Sequence, residues 1–271
     1  MFKYVINENK MNINQYKGSG NLEYVLILIL GLVIGSFLNV CIYRIPREES
    51  IVFPPSHCAK CNHNLSPLDL VPVMSYIFLR GKCRYCKEKI SMRYPLIELF
   101  NCVLYLIVYF QFGLTLVALK YCILVSILIV IGFIDYDTQF VFTSTTIFGG
   151  IIAIIFILIQ TILYKNESTD LILGGIIGFV IIWLIVVLTK GMGEGDIEIA
   201  TVCGLFLGMK GIMLGLFLSI VLGGAIGIII LCLKLKKAKE KIAFGPCIAI
   251  GSLIAMIWQN EILNFYWNFF V

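Results

Sequence analysis

Long apolar runs constrain this chain more than any other feature. Spanning a bilayer as a helix takes about 20 mostly apolar residues. Runs of that kind fall near residues 22 to 42, 96 to 113, 115 to 134, 144 to 164 and 171 to 189. After Asp196 come a short apolar piece, 197 to 208, and two longer ones, 212 to 233 and 244 to 260. With 60% hydrophobic and 14% charged residues, the 271-residue chain lies outside the range of soluble globular domains. The expected fold is an all-α polytopic membrane protein of about eight transmembrane helices, the sixth the shortest. The first run lacks an A-x-A-like site and continues into GSFLNVCIYRIP, so it reads as a true span and not as a cleaved leader.

No internal repeat or low-complexity tract is visible. The pattern divides the chain into a polar tail (1–20), a first transmembrane helix (21–43), a loop domain (44–94) and a membrane-embedded remainder (95–271). Loops rich in Lys and Arg stay on the cytosolic side. The loop from Arg44 to Arg93 holds nine of the 21 basic residues, which places it in the cytosol. Eight crossings then bring Asp135, the GMGEGD stretch with Lys190, and the KLKKAKEK run to that same side, for 15 basic residues in all. Lys3, Lys10 and Lys17 in the tail dissent, and Lys120, Lys165 and Lys210 fall at or near outer ends. The net charge of +5 is therefore a topology signal. No basic-aromatic pattern points to nucleic acid.

The cytosolic loop contains CAKC at Cys58 to Cys61 and CRYC at Cys83 to Cys86, close to the CxxC spacing of a zinc site. Each knuckle can give two thiolates to one ion, and four complete a tetrahedral shell. A reducing compartment favours metal over disulfides; unligated cysteines or a redox pair are the other readings. His57 and His63 flank the first knuckle and read as surface residues. A fifty-residue loop with few large apolar side chains has little core, so a structural zinc would supply folding free energy. The remaining cysteines (Cys41, Cys102, Cys122, Cys203, Cys232, Cys247) lie in apolar segments as small hydrophobes.

Ionisable residues beside apolar spans are functional candidates by default. Asp135 and Asp137 in FIDYDTQ fall at the cytosolic end of the third span, and Asp196 in GMGEGD at the cytosolic start of the sixth. Two residues apart on a helix, Asp135 and Asp137 face different ways, so only one can meet Asp196. Gly191, Gly193 and Gly195 permit close backbone approach, and irregular backbone at membrane depth belongs where it lines a cavity or is buried in protein. The other reading is an ordinary loop, with Asp196 and Glu198 favouring a helix N-terminus. Two carboxyls held close share one proton, one serving as base and the other as acid toward water and a peptide carbonyl. Glu194, Glu198 and Asp137 read as solvated interface charges, and Asp69 as an ordinary polar loop residue.

Taken together, GSFLNVCIYRIP (Gly35 to Pro46), the paired CxxC knuckles with SYIFLRGKCRYC, RYPLIEL (Arg93 to Leu99), FIDYDTQ, GMGEGD and FGP (Phe244 to Pro246) resemble the type IV prepilin leader peptidases, of the GxGD class of intramembrane aspartyl proteases. The resemblance runs from about Gly35 to Trp258. It implies a multi-pass enzyme of the bacterial inner membrane that removes the basic leader of prepilins and pseudopilins on the cytosolic side, after a glycine. It implies Asp135 and Asp196 as the catalytic pair, supported by Gly193 and Gly195, with Cys58, Cys61, Cys83 and Cys86 on zinc. It further implies N-methylation of the new terminus with S-adenosylmethionine, which no G-x-G-x-x-G motif in the sequence announces. Phe142 and Thr143 stand where the family commonly has a Pro-Asp pair, which supports Asp135 as the first catalytic residue. A transporter or channel using the same aspartates, and a membrane scaffold binding a partner through the zinc loop, are the readings of other classes. Glu48 and Glu49 could meet a basic leader or form a solvated pair. Nothing in the sequence sets an oligomeric state.

Overall fold

The computed structural model describes residues 20–164, 168–189, 192–233 and 243–270. The polar tail up to residue 19, Lys165, Lys190, Gly191 and the KLKKAKEK run lie outside them. The helices are α1 (Gly20–Arg44), α2 (Met74–Phe78), α3 (Arg93–Phe112), α4 (Leu116–Thr138), α5 (Thr143–Tyr164), α6 (Thr169–Thr189), α7 (Glu194–Cys232) and α8 (Gly245–Phe270). Among the described residues there are no strands, only two isolated bridges. Every helix except α2 is long and apolar enough to cross a membrane, seven in all.

The difference between seven helices and the eight expected spans lies in α7. Gly208 has φ 76° and ψ 179°, which is not helical. A Cβ built on Gly178 of α6 would touch both the Ala200 carbonyl and Ile212. Along a straight helix those two residues would be about 18 Å apart, so the chain reverses at Gly208 and α7 is two arms, residues 194–207 and 209–232. The positive φ suits glycine. The turn is also crowded, because a Cβ there would run into the Asp170 carboxylate.

Lipid tails are as apolar as leucine, so helices here associate through close packing and not through the hydrophobic effect. Small residues four apart do this twice over. Gly31 and Gly35 of α1 lie against α3, where added Cβ atoms would sit 2.8 Å from the Cys102 Cα and 2.7 Å from the Glu98 Cα. Gly174 and Gly178 of α6 meet Gly204, Gly208 and Ala200 of α7 at backbone contact. The second arm of α7 runs antiparallel to α8, with Gly211 by Gln259, Gly215 by Ser252 and Gly223 by Phe244. At the centre is α4, packed on α1, α3, α5, α7 and α8, with Leu124, Val125, Leu128, Ile131 and Ile134 fully buried. This wiring gathers the ends of α1, α4, α6 and the 209–232 arm with the starts of α3, α5, α7 and α8 at one face.

At the opposite face a basic residue is buried. Lys120 is 5% exposed and donates from Nζ to the Phe206 carbonyl at 2.9 Å, with Nζ 4.7 Å from the Tyr121 ring centroid. It satisfies one of the carbonyls freed where the first arm of α7 ends. Lys120→Met is expected to cost about 2 kcal/mol, the worth of a charged hydrogen bond, read as a lower melting temperature in detergent with the helical signal otherwise unchanged.

Candidate active site and metal centre

Asp135 lies near the C-terminal end of α4 and Asp196 in the first turn of α7, and both are buried, at 4% and 5% exposure. Their helices bring them together. The start of α8 touches both motifs, since a Cβ on Gly245 would lie 2.6 Å from Asp135 Oδ2 and 3.2 Å from Ile199, one turn after Asp196. Asp135 Oδ2 accepts the Gly245 N–H at 2.9 Å, and Asp196 Oδ2 accepts the Gly193 N–H at 3.0 Å. Each carboxyl is thus fixed through one oxygen, and no hydrogen bond among the described residues occupies the other.

The glycines of the motif divide the work. Gly193 supplies the amide, while Gly195 allows contact with the connector after α4: a Cβ there would lie 2.5 Å from that of Val141. Gly191 is outside the described residues. As the helical geometry requires, Asp137 faces away from the pair; it is exposed and forms an ion pair with Arg93 at 2.6 Å. The Arg93 guanidinium also stands 5.0 Å over the Phe133 ring.

Two expectations need correction. Glu198 is not a solvated charge: half-buried, it accepts from Thr146 Oγ1 at 2.5 Å and from Thr143 Oγ1 at 3.4 Å, tying α7 to the first turn of α5. Nor is Asp69 an ordinary loop residue. Its side chain is 2% exposed, accepts from Arg84 Nε at 2.5 Å and from Ser66 Oγ and N–H, and closes a capping box on the turn Pro67–Leu70. Burial alone would raise its pKa, but the hydrogen bonds from Arg84 and Ser66 outweigh that and leave it below the ordinary value.

The loop between α1 and α3 is built on two knuckles of the same backbone design. In the first, the Cys58 N–H donates to the His63 carbonyl and the Asn62 N–H to the Cys58 carbonyl; in the second, Cys83 pairs likewise with Glu88 and Lys87. Bridges His57–Asn64 and Lys82–Lys89 close the two hairpins. The four sulfurs of Cys58, Cys61, Cys83 and Cys86 converge within 4.8 Å of one another, and neither histidine joins them. His63 stacks on Tyr85, with ring centroids 3.6 Å apart. Zinc–sulfur bonds of about 2.3 Å imply a tetrahedral edge near 3.8 Å, and Cys58 Sγ to Cys86 Sγ is 3.8 Å. Hydrogen bonding from the Cys61 and Lys60 backbone draws the Cys58 thiol down to about 7. Cys86 goes the other way: the Glu88 backbone lowers its pKa, but desolvation and the three neighbouring thiols push it up to about 11. Four thiols this close cannot all ionise without a cation between them, and these four could hold a tetrahedral metal that would supply that charge.

The loop is fastened to the bundle at few points. Glu98 of α3 accepts the Val73 N–H at 2.7 Å. Arg44, 6% exposed at the end of α1, donates to the Ser50 and Pro54 carbonyls at 2.8 and 2.7 Å. Within the bundle, Asn39 of α1 donates to the Tyr94 carbonyl in the first turn of α3 at 3.1 Å.

The helical bundle thus carries two buried aspartates at one face and a four-cysteine module between its first two spans. The family model described as the bacterial peptidase A24 N-terminal domain matches residues 29–112, and that described as the type IV leader peptidase family matches residues 122–228. The chain belongs to the type IV leader peptidase family. Curated relatives named prepilin leader peptidase/N-methyltransferase include proteins of Pseudomonas putida (31% identical, 88% of this chain and 91% of the relative), Neisseria gonorrhoeae (32%, 88% and 91%) and Bacillus subtilis (30%, 89% and 96%). No solved structure matches the chain.

Proposed function

We propose that this protein removes the leader from prepilins and pseudopilins with Asp135 and Asp196 as the catalytic pair, and then methylates the new N-terminal amine. The observation that carries the reading is the placing of the two buried carboxyls, each held through one oxygen by a backbone N–H. The ionised carboxyl takes a proton from water as the oxygen attacks the scissile carbonyl. The protonated one gives its proton to the leaving amine as the C–N bond breaks. The first arm of α7 is about 21 Å long at 1.5 Å per residue, short of a hydrocarbon core of about 30 Å. With Gly208 at the far face, the pair therefore lies below the near one, within reach of a segment entering from the bilayer.

Nine Lys and Arg between Arg44 and Arg93 support a cytosolic position for the loop and, with it, for the catalytic face. Cys58, Cys61, Cys83 and Cys86 would hold a structural zinc that stitches the two knuckles together. S-Adenosylmethionine, when bound, supplies an electrophilic methyl group for the amine that cleavage exposes.

The test is co-expression with a prepilin in a host lacking its own peptidase, followed by intact mass of the pilin. The expected product lacks the leader and is one methyl group heavier than the bare cleaved chain. A pilin that keeps its leader rejects the peptidase reading; a shortened but unmethylated pilin rejects the second activity alone.

A further inference from the structure

The last helix, α8, is broken near its far end. Trp258 has φ −116° and ψ 19°, outside the helical range, and parts it into residues 245–257 and 259–270. The break falls at the face away from the aspartates. Gln111, next to the end of α3, donates from Nε2 to the Ile257 carbonyl at 3.3 Å. A Cβ on Gly211, just past the turn at Gly208, would meet the Gln259 side chain. Residues 245–257 therefore cross the bundle, and residues 259–270, about 18 Å of helix at 1.5 Å per residue, continue from the level at which α3 ends and α7 turns.

This arm has two unlike sides. At about 100° per residue, Asn260, Glu261, Asn264 and Asn268 fall within one narrow sector, and Ile262, Leu263, Phe265, Tyr266, Trp267 and Phe269 fill the rest. The bundle does not cover the aromatic side, for Phe265 is 70% exposed and Trp267 59%. Phe265 stacks on Phe269, with ring centroids 5.9 Å apart, which makes the apolar surface continuous along the arm.

Position and composition together name what covers that surface. Tyrosine and tryptophan gather at the membrane–water boundary, where the ring is buried and the polar tip stays wet. A helix apolar on one side and polar on the other lies along that boundary with its apolar side about 5–10 Å deep. Glu261 is the only charged side chain between Trp258 and Phe269, so attachment rests on apolar burial and not on the charge of the lipid.

We propose that residues 259–270 are an anchoring arm, lying in the plane of the lipid interface at the face away from the aspartates with its aromatic side toward the acyl chains. The inference stands apart from the proposed chemistry. Its consequence for the site is mechanical: α8 begins at Gly245, whose N–H holds Asp135, so an anchor at one end of the helix limits how far the other can rise or sink.

Trp183→Phe with Trp258→Phe leaves Trp267 as the single tryptophan of the full-length protein. Reconstituted in phosphatidylcholine vesicles free of anionic lipid, this protein is expected to lose about half its emission to bromine placed near the headgroup and little to bromine at the chain ends, as befits interfacial depth. Adding Phe265→Asn and Phe269→Asn takes the centre out of the aromatic side. Quenching by brominated lipid should then fall several-fold and quenching by aqueous iodide rise, with helical content and melting temperature unchanged. If iodide and not brominated lipid quenches Trp267 in the unaltered arm, the arm stands in water; if neither reaches it, protein covers it. Either result overturns the proposal, as does an asparagine variant that brominated lipid quenches like its parent.

Discussion

Asp135→Asn and Asp196→Asn are each expected to reduce leader removal by about 10²–10⁴-fold, the contribution of a positioned acid or base. An amide can neither take a proton from water nor give one to the leaving amine. The substitution is otherwise gentle, because the asparagine carbonyl can still accept the Gly245 or Gly193 N–H that now holds the carboxylate. Both variants should therefore insert and melt like the unaltered protein, which separates loss of chemistry from loss of fold. Asp137→Asn is the contrast: it removes the ion pair with Arg93 on the other side of α4 and leaves both carboxyls in place. Measured as the rate of prepilin shortening in membranes, an Asp196→Asn variant that cuts at the normal rate would end the two-aspartate mechanism.

The second large effect concerns the metal. Between residues 46 and 92 the only buried apolar side chain is that of Cys83, so apolar burial contributes little to ordering this loop. Structural zinc in small modules of this kind binds with an apparent free energy of about 10–16 kcal/mol, which is folding free energy. Replacing Cys83 and Cys86 together by serine is expected to remove the metal and disorder the loop. Limited trypsin digestion checks this directly, through cuts at Lys60 and Arg84 that the metal-loaded protein resists, alongside zinc content by mass spectrometry. The membrane helices should stay folded, because their contacts are with one another and the loop is fastened at few points, Glu98 and Arg44 among them. If the loop of the zinc-free variant resists trypsin as before, something other than metal holds it.

The α7 turn shows how far periodicity carries. Two apolar segments are visible on either side of Gly208 because lipid leaves backbone groups no partner but one another, and a long apolar run must become helix. What the run does not reveal is that the two arms fold back against α6, a consequence of Gly174 and Gly178 meeting Gly204 and Gly208 at backbone contact. The small residues four apart were there to be read, yet the spacing names no partner. The same holds for Lys120. A lysine near the end of a span looks like an interfacial charge, and its role in holding the Phe206 carbonyl depends on a residue 86 positions away.

By itself, then, the sequence determined whatever depends on neighbours along the chain. It gave the spans their length and the knuckles their CxxC spacing, and it set Asp135 and Asp137 on different faces of one helix. The tertiary structure alone decided the partners: the Gly245 amide on Asp135, 110 residues apart, the threonines on Glu198, and Arg84 on Asp69. The physical reason is that helix formation in lipid is settled by composition over about 20 residues, whereas a site is made by hydrogen bonds between segments whose meeting no local pattern encodes.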